Sequence, residues 1–451
     1  MNRRKFVASI AGGLSALGTY STRTPAAQLT GRTVVPRLAT RNAYRQTNLA
    51  ASKTAYDAKF TFEGMVDAWG IAIRPAGAGG HFWVLGGGTS YQFVGDVTAS
   101  PDPKLRTIFQ DSLAEVYLPG SDAFTSADSI GKATGTAFNG APLASDLFRV
   151  TTQLAIINNE TVRFDGSARF VFVTDSGMLS AWTDRAQDGR TVRVNGPAQL
   201  MFDGANEGMS FFGVALKTDT WDTLWTVDFG LAPQIRQFDK NWRLVPTQGF
   251  VNPFATGALR DEMNPDAGSA PRPGEPVPFN IHVLGNRVFV LYCVSQVLRN
   301  DGGFIVDARK FLPGEEDSLD AATESKTGGF PNRGKLVEYT LDGELVRIYD
   351  DLGRLNAPWG VAIAPANFGL LSNALLVANF GGAGKIAAFN QTTGRFIDYL
   401  RDASGDVIGV GGIWALMFGN GVSLGDTNAL YFAAGTEEEK AGLFGSLRYA
   451  D

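Results

Sequence analysis

The sequence predicts an all-β fold, a six-bladed β-propeller of four-stranded antiparallel blades around a central channel, and three observations carry that prediction. A nine-residue phrase, DAWGIAIRP at 67–75, returns as APWGVAIAP at 357–365. Its core, an aromatic residue, a small residue and then apolar or β-branched residues, recurs six times along the chain. Composition agrees: 451 residues with 44% hydrophobic and 19% charged side chains, 54 Gly and 31 Phe, favour strands joined by tight turns.

The six copies set the order of the elements. They are Trp69-Gly70-Ile71-Ala72, Thr134-Gly135-Thr136-Ala137, Phe212-Gly213-Val214-Ala215, Phe279-Asn280-Ile281-His282, Trp359-Gly360-Val361-Ala362 and Trp414-Ala415-Leu416-Met417, the second and fourth being weaker matches. Their small positions lie 55 to 80 residues apart, so six units fill the chain. Downstream of the copies the chain reads as strand, turn, strand, turn, strand: FVFVTDSGMLSAWTD at 170–184, LWTVDFGLAPQIRQFDKNWRLV at 224–245, GKLVEYTLDGELVRIY at 334–349 and ALLVANFGGAGKIAAFNQTTGRFIDYL at 374–400. Leu-Asp-Gly and Asn-Gln-Thr-Thr-Gly are hairpin punctuation. Four short strands per unit are a propeller blade, with the phrase as its innermost strand. Backbones crowd near the axis, which favours Gly or Ala there, while the aromatic neighbour is expected to wedge between blades.

The sixth unit, from about 406, is short. The segments RNAYRQTNLAA and KFTFEG near the N-terminus are expected to supply its missing strand and leave no open edge. Two segments stand outside the repeat, 264–278 (NPDAGSAPRPGEPVP) and 312–334 (LPGEEDSLDAATESKTGGFPNRG). Their Pro and charge content predicts loops, either solvated insertions or surfaces that recruit a protein partner.

Residues 1–27 read as a twin-arginine export signal: Arg3 and Arg4, a mildly apolar Gly- and Ala-rich run from Phe6 to about Leu17, then small residues at Thr24 to Ala27. Residues 28–451 are then one domain, expected to be periplasmic or secreted and exported already folded. Later apolar runs fall short of the roughly 20 residues that span a bilayer, so the chain is not expected to cross a membrane. A net charge of −5 with scattered Lys and Arg argues against nucleic acid. The single Cys293 sits in the apolar run VFVLYCV and reads as a buried hydrophobe. With His81 and His282 the only histidines, any metal site must rely on oxygen ligands; His81, at a strand start, is expected at the surface.

The C-terminal third, LNAPWGVAIAPANFGLLSNALLVANFGGAGKIAAFNQTTGRFIDYLRDASGDVI followed by IWALMFGNG and ALYFAAGTEEEKAGLFGSL, resembles an uncharacterised bacterial family of exported propeller proteins, some members of which carry a C-terminal sorting anchor. YRQTNL, DAWGIAIRP, GTAFNG, FVFVTDSGMLSAW and PFNIHVLGNRVFVLY are similar to it in the same order, whereas HFWVLGGGTSYQFVGDV departs from it. The resemblance implies an exported six-bladed propeller and no particular reaction.

Ligands of propellers usually meet the ends of the inner strands. Those positions offer Asp67, Asn139, Asn206, Glu207, Asn280, His282 and Asn356. One reading is a channel mouth that binds a small molecule, a glycan or a protein through Trp69, Trp359, Asn139 and Asn206 without chemistry. The alternative is a metal-dependent hydrolase or lactonase in which Asp67, Glu207, Asn280 and Asn356 hold a divalent cation such as calcium and His282 is the base. That set is similar, in residue type alone, to the metal-dependent lactonases built on six-bladed propellers. Opposed to both is a purely structural role, with the polar side chains satisfying strand ends and the aromatic rings filling the core.

Overall fold

The computed structural model describes residues 41–75, 80–121, 129–157, 159–187, 190–192, 196–295 and 332–450. The export signal and residues 312–331 of the second loop fall outside them. Among the described residues the chain is all-β, with only one-turn 3₁₀ segments for helix.

Each of the six phrases opens a sheet. The first sheet runs Ile71–Ala72, Phe82–Gly86, Thr89–Phe93, Glu115–Tyr117, and the second Ala133–Phe138, Phe170–Thr174, Met178–Trp182, Gln199–Asp203. The third runs Phe211–Leu216, Thr223–Asp228, Gln234–Asp239, Leu244–Val245, and the fourth Pro276–Leu284, Arg287–Val294, Gly334–Thr340, Leu345–Ile348. The fifth comprises Pro358–Ile363, Ala374–Asn379, Ile386–Asn390 and Phe396–Tyr399. All neighbours within these sheets are antiparallel and follow chain order. Fully buried second strands such as Phe170–Thr174 and Ala374–Asn379 are continuous apolar runs because both faces meet a neighbouring sheet.

The sixth sheet is built from both ends of the described chain. Ile413–Phe418, Ala429–Thr436 and Ala441–Tyr449 are completed by Tyr44–Ala51, which pairs antiparallel with the last strand from Tyr44↔Tyr449 to Ala51↔Leu443. Phe60–Thr61 then adds a short parallel fifth strand. Both N-terminal segments expected to complete this sheet do so. Tyr44 is fixed there by stacking on Phe368 and by donating its hydroxyl to Phe368 O at 2.7 Å.

The first strands of the six sheets are neighbours in a cycle, 71–72 to 133–138 to 211–216 to 276–284 to 358–363 to 413–418 and back to 71–72. This is the arrangement of a β-propeller. Its small residues are demanded by close approach: a Cβ on Gly360 would stand 2.3 Å from Trp414 O, and one on Gly213 would stand 1.9 Å from Asn280 Oδ1.

Two expectations are corrected and one element is added. The loop 264–278 ends at Glu275, because Pro276 and Pro278 begin the fourth inner strand. That strand pairs on one side only, so a missing N–H is tolerated, with a register shift between Pro278 and Asn280. His81 is buried, not superficial, and its Nε2 lies 2.8 Å from Asp111 Oδ1. An additional hairpin, Arg149–Ile157 with Glu160–Ser167, is inserted between the first two strands of the second sheet.

Candidate functional site

The inner strands run from a closed end, where the phrases start, to an open one. At the open end the third to fifth residues of five phrases, and the fourth to sixth of the Phe279 phrase, form one funnel of about 540 Å³, to which all six sheets contribute. Its wall is aliphatic and aromatic, with Ile71, Val214, Val361, Leu416, Phe138 and Phe418 prominent. The β-branched and long apolar residues that the phrase repeats therefore face a shared cavity as well as the core. His282 and Thr136 are the polar side chains deepest in the strands that line it, and no Asp or Glu is among the lining residues. Thr136 Oγ1 is buried without a hydrogen-bond partner.

His282 sits in the funnel wall where the other phrases have Ala or Met. Asn280 Nδ2 lies 2.8 Å from His282 Nε2 and donates to Trp359 O at 2.7 Å, while Asn280 Oδ1 accepts from Ile281 N at 2.8 Å. Burial lowers the imidazole pKa to about 4, so the ring is neutral at ordinary pH. Its edge faces the Trp359 ring at 5.8 Å between centroids.

The closed end is plugged by aromatic rings. Trp69 stacks on Trp414 at 3.8 Å, Phe380 stacks on the same indole at 3.7 Å, and Trp359, Phe212 and Phe279 complete the cluster. The rings gather on the axis instead of wedging between sheets. Burying each is worth about 3 kcal/mol. The second sheet has Thr134 at this position, and its hydroxyl donates to Phe211 O of the next inner strand at 2.7 Å.

Polar groups brace the same end. Asp67, backed by the plug, accepts from Trp414 Nε1 at 2.9 Å, and burial beside Glu439 raises its carboxyl pKa well above the usual range. Asp67 Oδ2, both side-chain polar atoms of Asn356 and the indole nitrogens of Trp69 and Trp359 are buried without partners. The second strands end in acceptors that hold the incoming inner strand: Asp175 takes Lys132 N at 2.8 Å, Asp228 takes Ser210 N at 3.0 Å, and Asn379 takes Asn356 N at 3.0 Å. Sequence reasoning missed these three. Their signal was present as the Asp or Asn that ends FVFVTD, LWTVD and LLVAN.

The expected site residues are thus divided between the two ends. Trp69 and Trp359 are each 3% exposed, inside the plug. Asn139 is fully buried at the end of the second inner strand, accepting from Ala141 N and donating to Ser167 Oγ. Asn206 and Glu207 are exposed in a turn before the third inner strand. Of the four expected metal ligands, Asp67 and Asn356 lie at the closed end, Glu207 is exposed, and Asn280 is engaged by its own strand and Trp359. Among the described residues no group of three or more His, Cys, Asp or Glu is placed to hold a metal ion, and no helix is long and apolar enough to cross a membrane. Cys293 is buried, and burial pushes its thiol pKa well up.

No family model matches the chain. It is similar to two uncharacterized proteins of Acanthamoeba polyphaga mimivirus, at 30% identity over 228 residues (50% of this chain and 46% of the relative) and 34% over 117 residues (26% and 30%). The chain therefore spans less than half the length of either curated relative. Among solved structures it aligns with the WD40 β-propeller domain of Doa1 at 8% identity and a TM-score of 0.35, covering 84% of this chain and 93% of that one.

Proposed function

We propose that the six sheets are the blades of a closed six-bladed propeller, and that the funnel at the open end of its axis binds a small, mostly apolar molecule without transforming it. The observation that carries this reading is the convergence of all six inner strands on one apolar cavity of about 540 Å³. That size suits a small ligand, and its few polar groups would orient one. A catalytic role for His282 has little support, because the imidazole is neutral, is tied to Asn280 and has no carboxylate beside it in the funnel. Glycans are less well suited, since the wall offers them few hydrogen-bonding partners. The Arg3-Arg4 leader supports action outside the cytoplasm, after export of the folded chain.

The test uses N-phenyl-1-naphthylamine, an uncharged dye that fluoresces in apolar surroundings. Saturable binding of one dye per chain, lost in Val283→Phe and in Ala137→Phe, both at half-buried funnel positions and both still melting cooperatively, is the expected result. Absence of saturable binding, or undiminished binding in both filled variants, would sink the proposal.

A further inference from the structure

A second cavity, of about 510 Å³, lies off the axis between the third and fourth sheets. Its floor is the strand Gln234–Asp239 with the segment after it, and its roof is the strap 257–270. The strap is a built element. Leu259 bridges Ser269, Gly257 N donates to Ala270 O, Arg260 N donates to Gly268 O, and Ala270 N donates to Ala258 O. Asp261 turns back on the strap by accepting Met263 N, and Glu275 anchors its base through Thr256 and Arg272 N.

The strap carries Arg260 into the cavity, where its guanidinium donates to Pro233 O. Among the described residues no carboxylate forms an ion pair with it. The nearby Asp228 is already committed: Arg236 holds it at 2.8 Å, and it accepts Ser210 N and Gly230 N. Asp228 thus pairs with Arg236, while the Arg260 side chain donates to a backbone carbonyl, in a chain whose net charge is −5. Burial and the Arg236 charge lower the Arg260 pKa to about 10, which leaves it cationic at neutral pH. Around this charge Ile235, Phe250 and Pro278 form an apolar side of the cavity, and Thr247, Asn252 and Asp261 a polar one, with Asp261 turned to its own strap through Met263 N.

We propose that this cleft is a binding site for a small organic anion, whose carboxylate pairs with Arg260 and whose apolar body lies against Ile235 and Phe250. A planar guanidinium short of a partner matches a carboxylate through two parallel hydrogen bonds, and partial desolvation strengthens the pair. The site is independent of the axial funnel.

The experiment compares benzoate, benzamide and inorganic phosphate on the full chain by ligand-observed NMR and calorimetry. Benzoate should bind saturably, benzamide should not, and phosphate should bind at least tenfold more weakly. Arg260→Gln should weaken benzoate at least tenfold while leaving the dye uptake of the axial funnel intact. Leu259→Asp, half-exposed at the cavity's edge, should do the same by charge repulsion and serves if the Arg260 variant does not fold. Equal binding of benzoate by wild type and the folded variants, or no benzoate binding at 10 mM as roughly the weakest useful affinity, overturns the proposal. Phosphate binding as tight as benzoate overturns the role given to the apolar walls.

Discussion

The two ends of the axis are built from the same six strands and have opposite chemistry. Where the phrases begin, Trp69, Trp359 and Trp414 close the axis and buried polar groups surround them; where they finish, aliphatic residues open a funnel. The difference arises within five residues of each strand. An aromatic first position reaches the axis and meets its equivalents, a small second position lets neighbouring backbones approach, and smaller apolar residues after it leave space. Closure and cavity are thus written by position within one repeated phrase.

The largest expected effect tests the crowding at the closed end. Gly360→Val would set a Cβ 2.3 Å from Trp414 O, against backbone that cannot yield, and should cost at least about 3 kcal/mol in urea denaturation. The adjacent Val361→Ala, facing the open end, should cost less, roughly 1 to 2 kcal/mol. Similar costs for the two would erase the contrast.

Next in size are two pH effects of opposite sign. The folded pKa of His282 lies at about 4, below its unfolded value near 6.5. Its contribution is intact above pH 6.5 and is lost as the pH falls towards 4, because the unfolded chain takes the proton first. The loss should reach roughly 3 kcal/mol near pH 4, and His282→Gln should abolish it in urea midpoints measured across that window. Asp67 behaves in the reverse way. Its folded pKa is raised, so its contribution is full below about pH 4 and declines as the pH rises towards the folded value. Asp67→Asn, which keeps an acceptor for Trp414 Nε1, should therefore have a higher urea midpoint than wild type at pH 7.5. The gain should vanish near pH 4. A wild-type advantage at pH 7.5 would mean that Asp67 is held as a carboxylate.

The smallest effect concerns Thr136, whose hydroxyl lies buried without a partner at the funnel. Thr136→Val keeps the shape and removes that polar atom, so melting should show no loss of stability and a gain of up to about 1 kcal/mol. A loss above that size would show that the hydroxyl is bonded in solution.

Much of this organisation was legible in the sequence. The phrase located all six inner strands, and YRQTNLAA was identifiable as the strand missing from the sixth sheet, because periodicity and edge satisfaction are local signals. The site was less legible. Alternation assigns a face to Asn280 and His282 but not a depth along the axis, so His282 of the funnel was grouped with Asp67 and Asn356 of the closed end. Pro276 and Pro278 concealed a strand start that an unpaired side makes permissible. Arg260 gave no sign, since its surplus charge exists only once the strap folds over Asp228 and Arg236.

The pairing of Tyr44–Ala51 with Ala441–Tyr449 also fixes an order of events in time. Roughly 400 residues separate Tyr44 from Tyr449, and at about 5–20 residues per second a ribosome needs on the order of half a minute or more to make them. Throughout that interval the earliest described strand has only its short parallel contact with Phe60–Thr61 and lacks its antiparallel partner, and closing so long a loop is among the slowest steps a chain can take. Among the described strands, the first to be synthesised is therefore the one that waits longest for its antiparallel partner in the sixth sheet.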